Sequence, residues 1–211
     1  MYVFFDLDGT LTDPKEGILG CIKFALSSLN VGIDEDVELE TFIGPPLRDT
    51  FRHLCENDIL AEKAVSLYRE RFSSIGLYEN HLYDGIKECL ESLVGKVRSN
   101  YVVTSKPTGF SERIVEHFNI SDHFEVVYGS NLDGSLGDKT ELLAHVLSSE
   151  GINPEDSVMI GDRKYDVIGA RNHGIRSIGV LWGYGSELEL REAGADSICE
   201  NPLHLHDHIF T

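Results

Sequence analysis

Apolar residues follow two different rhythms along this chain. A short continuous run, Tyr2-Val-Phe-Phe5, ends in Asp-Leu-Asp-Gly, which predicts a buried strand entering a turn. From about residue 15 to residue 76 the spacing changes to three and four, as in Ile18, Cys21, Ile22, Ala25, Leu26 and Leu29, and predicts helices with no strand among them. Gly44-Pro45-Pro46 breaks that stretch with a loop, because proline has no amide donor and cannot continue a helix. Beyond Tyr83-Asp84-Gly85 the two rhythms alternate. Helices are predicted near 86–94, 111–118, 140–149 and 165–173, and strands near 101–104, 124–128, 157–160 and 177–181, with weaker elements to the end. Such alternation predicts an α/β fold: a Rossmann-like parallel sheet core from residues 1–14 and 80–211, with an all-helical domain inserted at 15–79. In open sheets of this kind ligands bind at the carboxyl ends of the strands, so reactive residues are expected just after strands.

Charge narrows the choice of ligand. Acidic residues outnumber basic ones 36 to 18, a formal net charge of −18 that repels nucleic-acid backbones and anionic lipid. A polyanionic or membrane partner is not expected; a small phosphorylated metabolite is, provided the few cations gather at its site. The four cysteines are scattered with no CxxC pair, so neither a disulfide framework nor a structural zinc is predicted. With no basic leader before Asp6 and no long apolar run, the expected setting is the cytoplasm, as a monomer or homodimer.

Four positions after strands carry such groups. Asp6 and Asp8 are two residues apart, so in extended backbone both side chains point to one side and can share a site. Adjacent carboxylates repel unless a cation lies between them or one takes a proton; magnesium serves the first case and acid–base chemistry the second. Gly9 permits an immediate turn and close approach of backbone amides to an anion. Asp162, after the 157–160 strand, supplies a third carboxylate, so the expected Mg2+ ligands are Asp6, Asp8 and Asp162. Asp166, one helical turn on, is a supporting or direct partner. Thr104, beside Ser105, and Lys139 offer a hydroxyl and an ammonium to phosphoryl oxygens.

These motifs, Asp6-Leu-Asp-Gly-Thr10, Val102-Val-Thr-Ser-Lys-Pro107, Lys139 and Gly161-Asp-Arg-Lys-Tyr-Asp166, resemble the haloacid dehalogenase-like superfamily over nearly the whole chain. The resemblance implies a phosphatase in which Asp6 is nucleophile and metal ligand and Asp8 is general acid and base. It further implies that Thr104 binds phosphate, Lys139 neutralises charge and Asp162 holds the metal, with the helical insert as a cap over the site. Ile43-Gly-Pro-Pro-Leu47 and Val103-Thr-Ser-Lys-Pro107 resemble phosphoglycolate phosphatases, whereas Gly161–Asp166 and Gly179-Val-Leu-Trp-Gly-Tyr-Gly-Ser186 look closer to a 5′-nucleotidase-like branch. Ser105 departs from the Asn often found in phosphoglycolate phosphatases, which bears on substrate. A sugar phosphomutase, a pyrophosphatase and a non-catalytic phosphate-binding protein are the alternatives.

Taken singly, each motif has a plain structural explanation. Asp-Leu-Asp-Gly is a common turn, and Asp138-Lys139-Thr140 could simply start a helix. Their order at successive strand ends favours the functional reading. Arg48, just after the Gly-Pro-Pro loop, is a candidate substrate contact or an ordinary surface ion-pair partner, and Arg52 a weaker one. His204, His206 and His208 near the chain end are assigned no role, and Cys21, Cys55 and Cys89 fall on apolar helix faces as core residues.

Overall fold

In the computed structural model, which describes residues 1–34 and 37–211, the chain separates into two compact units, Pro14–His81 and the pair of segments Met1–Asp13 and Leu82–Thr211. The elements run β1 (Tyr2–Phe5), β2 (Thr12–Asp13), α1 (Lys15–Ser28), α2 (Leu47–Leu54), α3 (Asp58–Arg71), β3 (His81–Leu82) and α4 (Ile86–Leu93). They continue β4 (Ser99–Pro107), α5 (Thr108–His117), β5 (Val126–Ser130), α6 (Lys139–Glu150), β6 (Ser157–Gly161), α7 (Lys164–Asn172), β7 (Arg176–Val180), α8 (Glu187–Ala193), β8 (Ser197–Cys199) and α9 (Leu205–Phe210).

The larger unit is built on a six-stranded sheet of order β5-β4-β1-β6-β7-β8, every neighbouring pair parallel. Strand β1 lies in its middle, with Tyr2 registered against both Ser99 and Ser157. Because the chain moves to one side of β1 for β4 and β5 and to the other for β6 to β8, the topology reverses at β1, where such sheets open a crevice for ligands. Val3, Phe4 and Phe5 are fully buried, as a central strand covered on both faces requires. Phe4 joins a cluster with Leu142, Val146 and Ala170 from α6 and α7, while Phe5 points the other way and meets Phe124 edge-on with ring centroids 5.9 Å apart. Each such fully buried side chain contributes roughly 1.5–3 kcal/mol.

Up to His81, which opens β3, the described residues of the smaller unit form helices and loops with no strand, and α1 and α2 pack on α3. Tyr68 stacks on Phe72 at 5.4 Å and meets Phe51 edge-on at 6.0 Å. The side chain of Asn57 caps α3 by accepting from Leu60 N–H at 3.0 Å, a contact worth about 1 kcal/mol. A π-helical turn, Phe72–Gly76, follows α3, and Arg71 holds Glu79 with two hydrogen bonds of 2.7 and 2.9 Å.

Several bounds differ from the periodicity. Strand β4 runs to Pro107 rather than ending at Thr104, and α5 starts at Thr108, because Pro107 holds an extended backbone and then stands just before the helix. Strand β5 begins two residues later than its apolar run, since Phe124 closes the preceding 3-10 turn. The weaker C-terminal elements are α8, β8 and α9. All four cysteines are free and buried, and no helix among the described residues is long and apolar enough to cross a membrane.

Candidate active site

The carboxyl ends of β1, β4 and β6 bring the acidic and hydroxyl residues together. Asp6 follows β1 directly, and its N–H bonds Ile160 O at 2.9 Å, extending the sheet by one step. The chain then turns: Leu7 O accepts from Leu11 N–H at 2.9 Å and Thr12 N–H at 3.0 Å, and Gly9 sits at φ 83°. A side chain at Gly9 would be strained in the backbone and would place its Cβ 2.2 Å from Asp162 Oδ2, so only glycine fits. The Gly9 N–H itself bonds Thr12 O at 2.7 Å and closes the turn that the sequence predicts here.

Asp6, Asp162 and Asp166 each bring one carboxylate oxygen to within 4.8 Å of the others, all three buried. Asp162 is completely inaccessible. Its Oδ2 accepts from Tyr184 N–H at 2.8 Å and its Oδ1 from the Thr10 hydroxyl at 3.4 Å, while Trp182 Nε1 ties the same loop to Thr10 O at 2.9 Å. Asp166 is the third residue of α7, where its Oδ2 accepts from Arg163 N–H at 3.2 Å and closes the first turn. Lys139 is the first residue of α6, whose N-terminus is capped by Asp138 through Thr140 N–H and Glu141 N–H. The cap delivers the lysine. Lys139 Nζ donates to Asp6 Oδ1 at 3.0 Å and to Val103 O at 2.8 Å, and lies 2.8 Å from Asp166 Oδ1.

Asp8 was expected to join Asp6 and Asp162 in one ligand group, and its side chain goes elsewhere. Both its oxygens are taken by Lys106 Nζ, at 2.9 and 2.6 Å, and Asp166 completes the trio instead. Thr104 is buried and its Oγ1 accepts from Lys106 N–H at 3.3 Å; Ser105 O accepts from the Ser130 hydroxyl at 2.8 Å. Arg48, in the helical unit, pairs with Glu62 at 2.9 Å. Lys106 stands inside Val102–Pro107, yet as a lysine before proline it carries no separate signal in the sequence. Trp182 and Tyr184 were visible only as part of a family-like string.

The electrostatics of the trio are strained. Burial, then Asp166 and Asp6, pushes the Asp162 carboxyl well above its ordinary range. Burial also raises Asp166, and Lys139 pulls it back only in part because the same ammonium is shared with Asp6. Burial would lower Lys139, but Asp166 and Asp6 outweigh it and the ammonium is held more firmly than in water. Burial raises Asp8 as well, opposed chiefly by Lys106. Three buried carboxylates thus meet around one lysine, whose single charge is shared between Asp6 and Asp166. An all-oxygen set of buried carboxylates with surplus negative charge fits a hard divalent cation such as Mg2+.

A doubly wound parallel sheet with a buried acidic centre at its topological reversal defines an enzyme of the Rossmann-like α/β class. The sequence matches the haloacid dehalogenase-like hydrolases over residues 3–180, and the chain belongs to that family. It is 50% identical over 190 residues to a 5′-nucleotidase of Pseudomonas aeruginosa, covering 90% of this chain and 86% of that one. It is 42% identical over 183 residues to the tyrosine-protein kinase PtkA of Mycobacterium tuberculosis, covering 87% of this chain but only 62% of the kinase. A solved structure of a predicted phosphatase from Clostridium acetobutylicum superposes with a TM-score of 0.93 at 42% identity, over 99% of this chain and 97% of that one.

Proposed function

We propose that the chain is a Mg2+-dependent phosphomonoesterase that passes a phosphoryl group through Asp6 and acts on small phosphorylated metabolites, nucleoside 5′-monophosphates first. The observation that carries the proposal is the meeting of Asp6, Asp162 and Asp166 around Lys139 at the carboxyl ends of β1 and β6. Asp6, Asp162 and Asp166 would hold the metal, which when bound offsets phosphate charge and lets a carboxylate approach a phosphoryl group. A carboxylate oxygen of Asp6 attacks phosphorus in line, the bond to the leaving oxygen breaks, and Asp8 gives that oxygen its proton, so an alcohol departs and an aspartyl phosphate remains. Asp8 then takes a proton from water as the water oxygen attacks the same phosphorus, releasing phosphate and restoring Asp6. Lys139 offsets charge on the phosphoryl oxygens. The Thr104 hydroxyl, accepting from Lys106 N–H, has its own proton to donate to a phosphoryl oxygen, with Ser105 beside it.

Nucleotide comes before phosphoglycolate because the 50% identity with a 5′-nucleotidase extends over 90% of the chain. The helical unit is the proposed cap, with Arg48 exchanging its partner Glu62 for substrate. Phosphate release from nucleoside 5′-monophosphates, 2-phosphoglycolate, sugar phosphates and pyrophosphate, with Mg2+ and with chelator, tests all of this. Turnover should vanish in chelator and be fastest on a nucleotide. Full turnover without divalent metal would sink the mechanism, and a faster non-nucleotide substrate would replace the substrate class alone.

A further inference from the structure

Lys106 has no part in the chemistry above, and the fold places it with care. Its Nζ reaches both oxygens of Asp8 where the two side chains are 7% and 12% exposed. A buried ion pair of this kind is weak support for stability, since desolvation offsets most of its attraction, but both-oxygen contact fixes a carboxylate's orientation.

The backbone around Lys106 is built to hold it there. Strand β4 registers Thr104 against Gly129 and next Pro107 against Ser130, so three steps of one strand face one step of its neighbour. Bulges re-aim side chains beside functional sites. This one is locked from β5: Ser130 Oγ donates to Ser105 O at 2.8 Å, and Gly129 N–H donates to Thr108 Oγ1 at 3.1 Å. Position 129 must also be glycine. A Cβ there would lie 2.3 Å from Lys106 O and 2.7 Å from Thr108 N, both backbone atoms that cannot step aside without moving the bulge.

Two acids two residues apart are thereby held by two different lysines. Lys139 takes Asp6 and Asp166, and Lys106 takes Asp8. Resting on the proton-transfer role given to Asp8, we propose that Lys106 is a positioning residue: it keeps the Asp8 carboxylate out of the acidic trio, oriented for proton transfer to and from the reacting oxygens. Without it, Asp8 is free to turn toward the same cation as Asp6, and proton delivery to a poor leaving group fails while attack by Asp6 continues.

The test compares kcat and KM on p-nitrophenyl phosphate, whose leaving group needs no proton, with those on a nucleoside 5′-monophosphate, whose leaving group does. Lys106→Met should lose about 10²-fold more in kcat on the nucleotide than on the aryl ester, a loss within the usual worth of a general acid, with KM changed less than about threefold. Lys106→Arg, which can also grip a carboxylate by both oxygens, should recover most of the difference. Gly129→Ala keeps the lysine but displaces its backbone, and should reproduce the selective loss. Asp8→Asn serves as the reference. If Asp8→Asn shows the selective loss and Lys106→Met loses equally on both esters, or only raises KM on both as a direct phosphate contact would, the positioning role is overturned and the acid assignment stands. Equal losses in Asp8→Asn itself overturn the acid assignment and the positioning role together.

Discussion

The lysines at the strand ends of the sheet unit and the ion pairs along the surface of the helical unit use charge in opposite ways. In the helical unit Lys15 meets Glu40 with the two side chains 47% and 56% exposed, and Arg52 with Asp49 and Arg48 with Glu62 are likewise in contact with water. In the sheet unit Lys139 and Lys106 are sealed against Asp6, Asp166 and Asp8. Exposed pairs of the first kind contribute at most about 1 kcal/mol each. Buried pairs of the second kind are expensive to desolvate, and here they fall short of neutrality, which makes the sheet unit less stable than its packing allows. The contrast teaches where the chain accepts strain: at strand ends facing a ligand, and not on helix surfaces.

The largest test of that contrast is chemical. Asp6→Asn removes the nucleophile and should lower kcat by at least about 10⁴-fold with no phosphorylated protein detectable by mass spectrometry after mixing with substrate. A labelled adduct at another residue would reassign the role. Next, Lys139→Met leaves Asp6 and Asp166 without their shared cation. It should cost about 10²–10³-fold in kcat and lower the metal-free Tm by scanning calorimetry.

Third comes an effect of opposite sign on stability. Asp162 and Asp166 bind protons more tightly in the folded chain than in the unfolded one, since burial raises both, Asp166 to about 6. Stability from such groups is present in full below the ordinary carboxylate range and is lost as pH rises through the raised values. The metal-free protein should therefore have a higher Tm near pH 5 than near pH 8, and Mg2+ should remove most of the difference. Asp162→Asn should raise the metal-free Tm at pH 8 by roughly 2–4 °C per kcal/mol of strain relieved, while abolishing activity. A fall in Tm at that pH would mean that the trio is not strained.

The smallest effect belongs to the helical unit. Arg48→Ala should change stability by no more than about 0.5 kcal/mol, because its pair with Glu62 is partly solvated. Its kcat/KM on nucleotides should fall more than on p-nitrophenyl phosphate. Equal losses on both would place Arg48 in the chemistry and erase the division between the units.

Much of this arrangement was legible in the chain. Strands β1, β6 and β7 are dense in β-branched and aromatic residues, and carboxylates stand immediately after two of them. Asp162 and Asp166 could be paired only on the expectation that a helix had begun at Asp162; α7 starts at Lys164, and the two meet across the extended Arg163. Which three carboxylates converge could not be read, because residue alternation places Asp8 beside Asp6 and says nothing of Lys106. That lysine reaches Asp8 only through the bulge, and a bulge breaks the period of two on which strand reading depends. The hold on Asp162 by Tyr184 was hidden for another reason: it comes from a backbone N–H, which every residue but proline possesses.

The central place of β1 also bears on how the chain is made. Its neighbours are Ser99–Val102 on one side and Ser157–Ile160 on the other, so during synthesis β1 emerges well before the first of its partners and longer still before the second. The helical unit, Pro14–His81, emerges meanwhile, and helices form on contacts close in sequence. Until β4 arrives, Val-Phe-Phe is an apolar segment with open edges, the kind that associates with other chains. Synthesis of this enzyme should thus be most vulnerable at the strand that leads into Asp6.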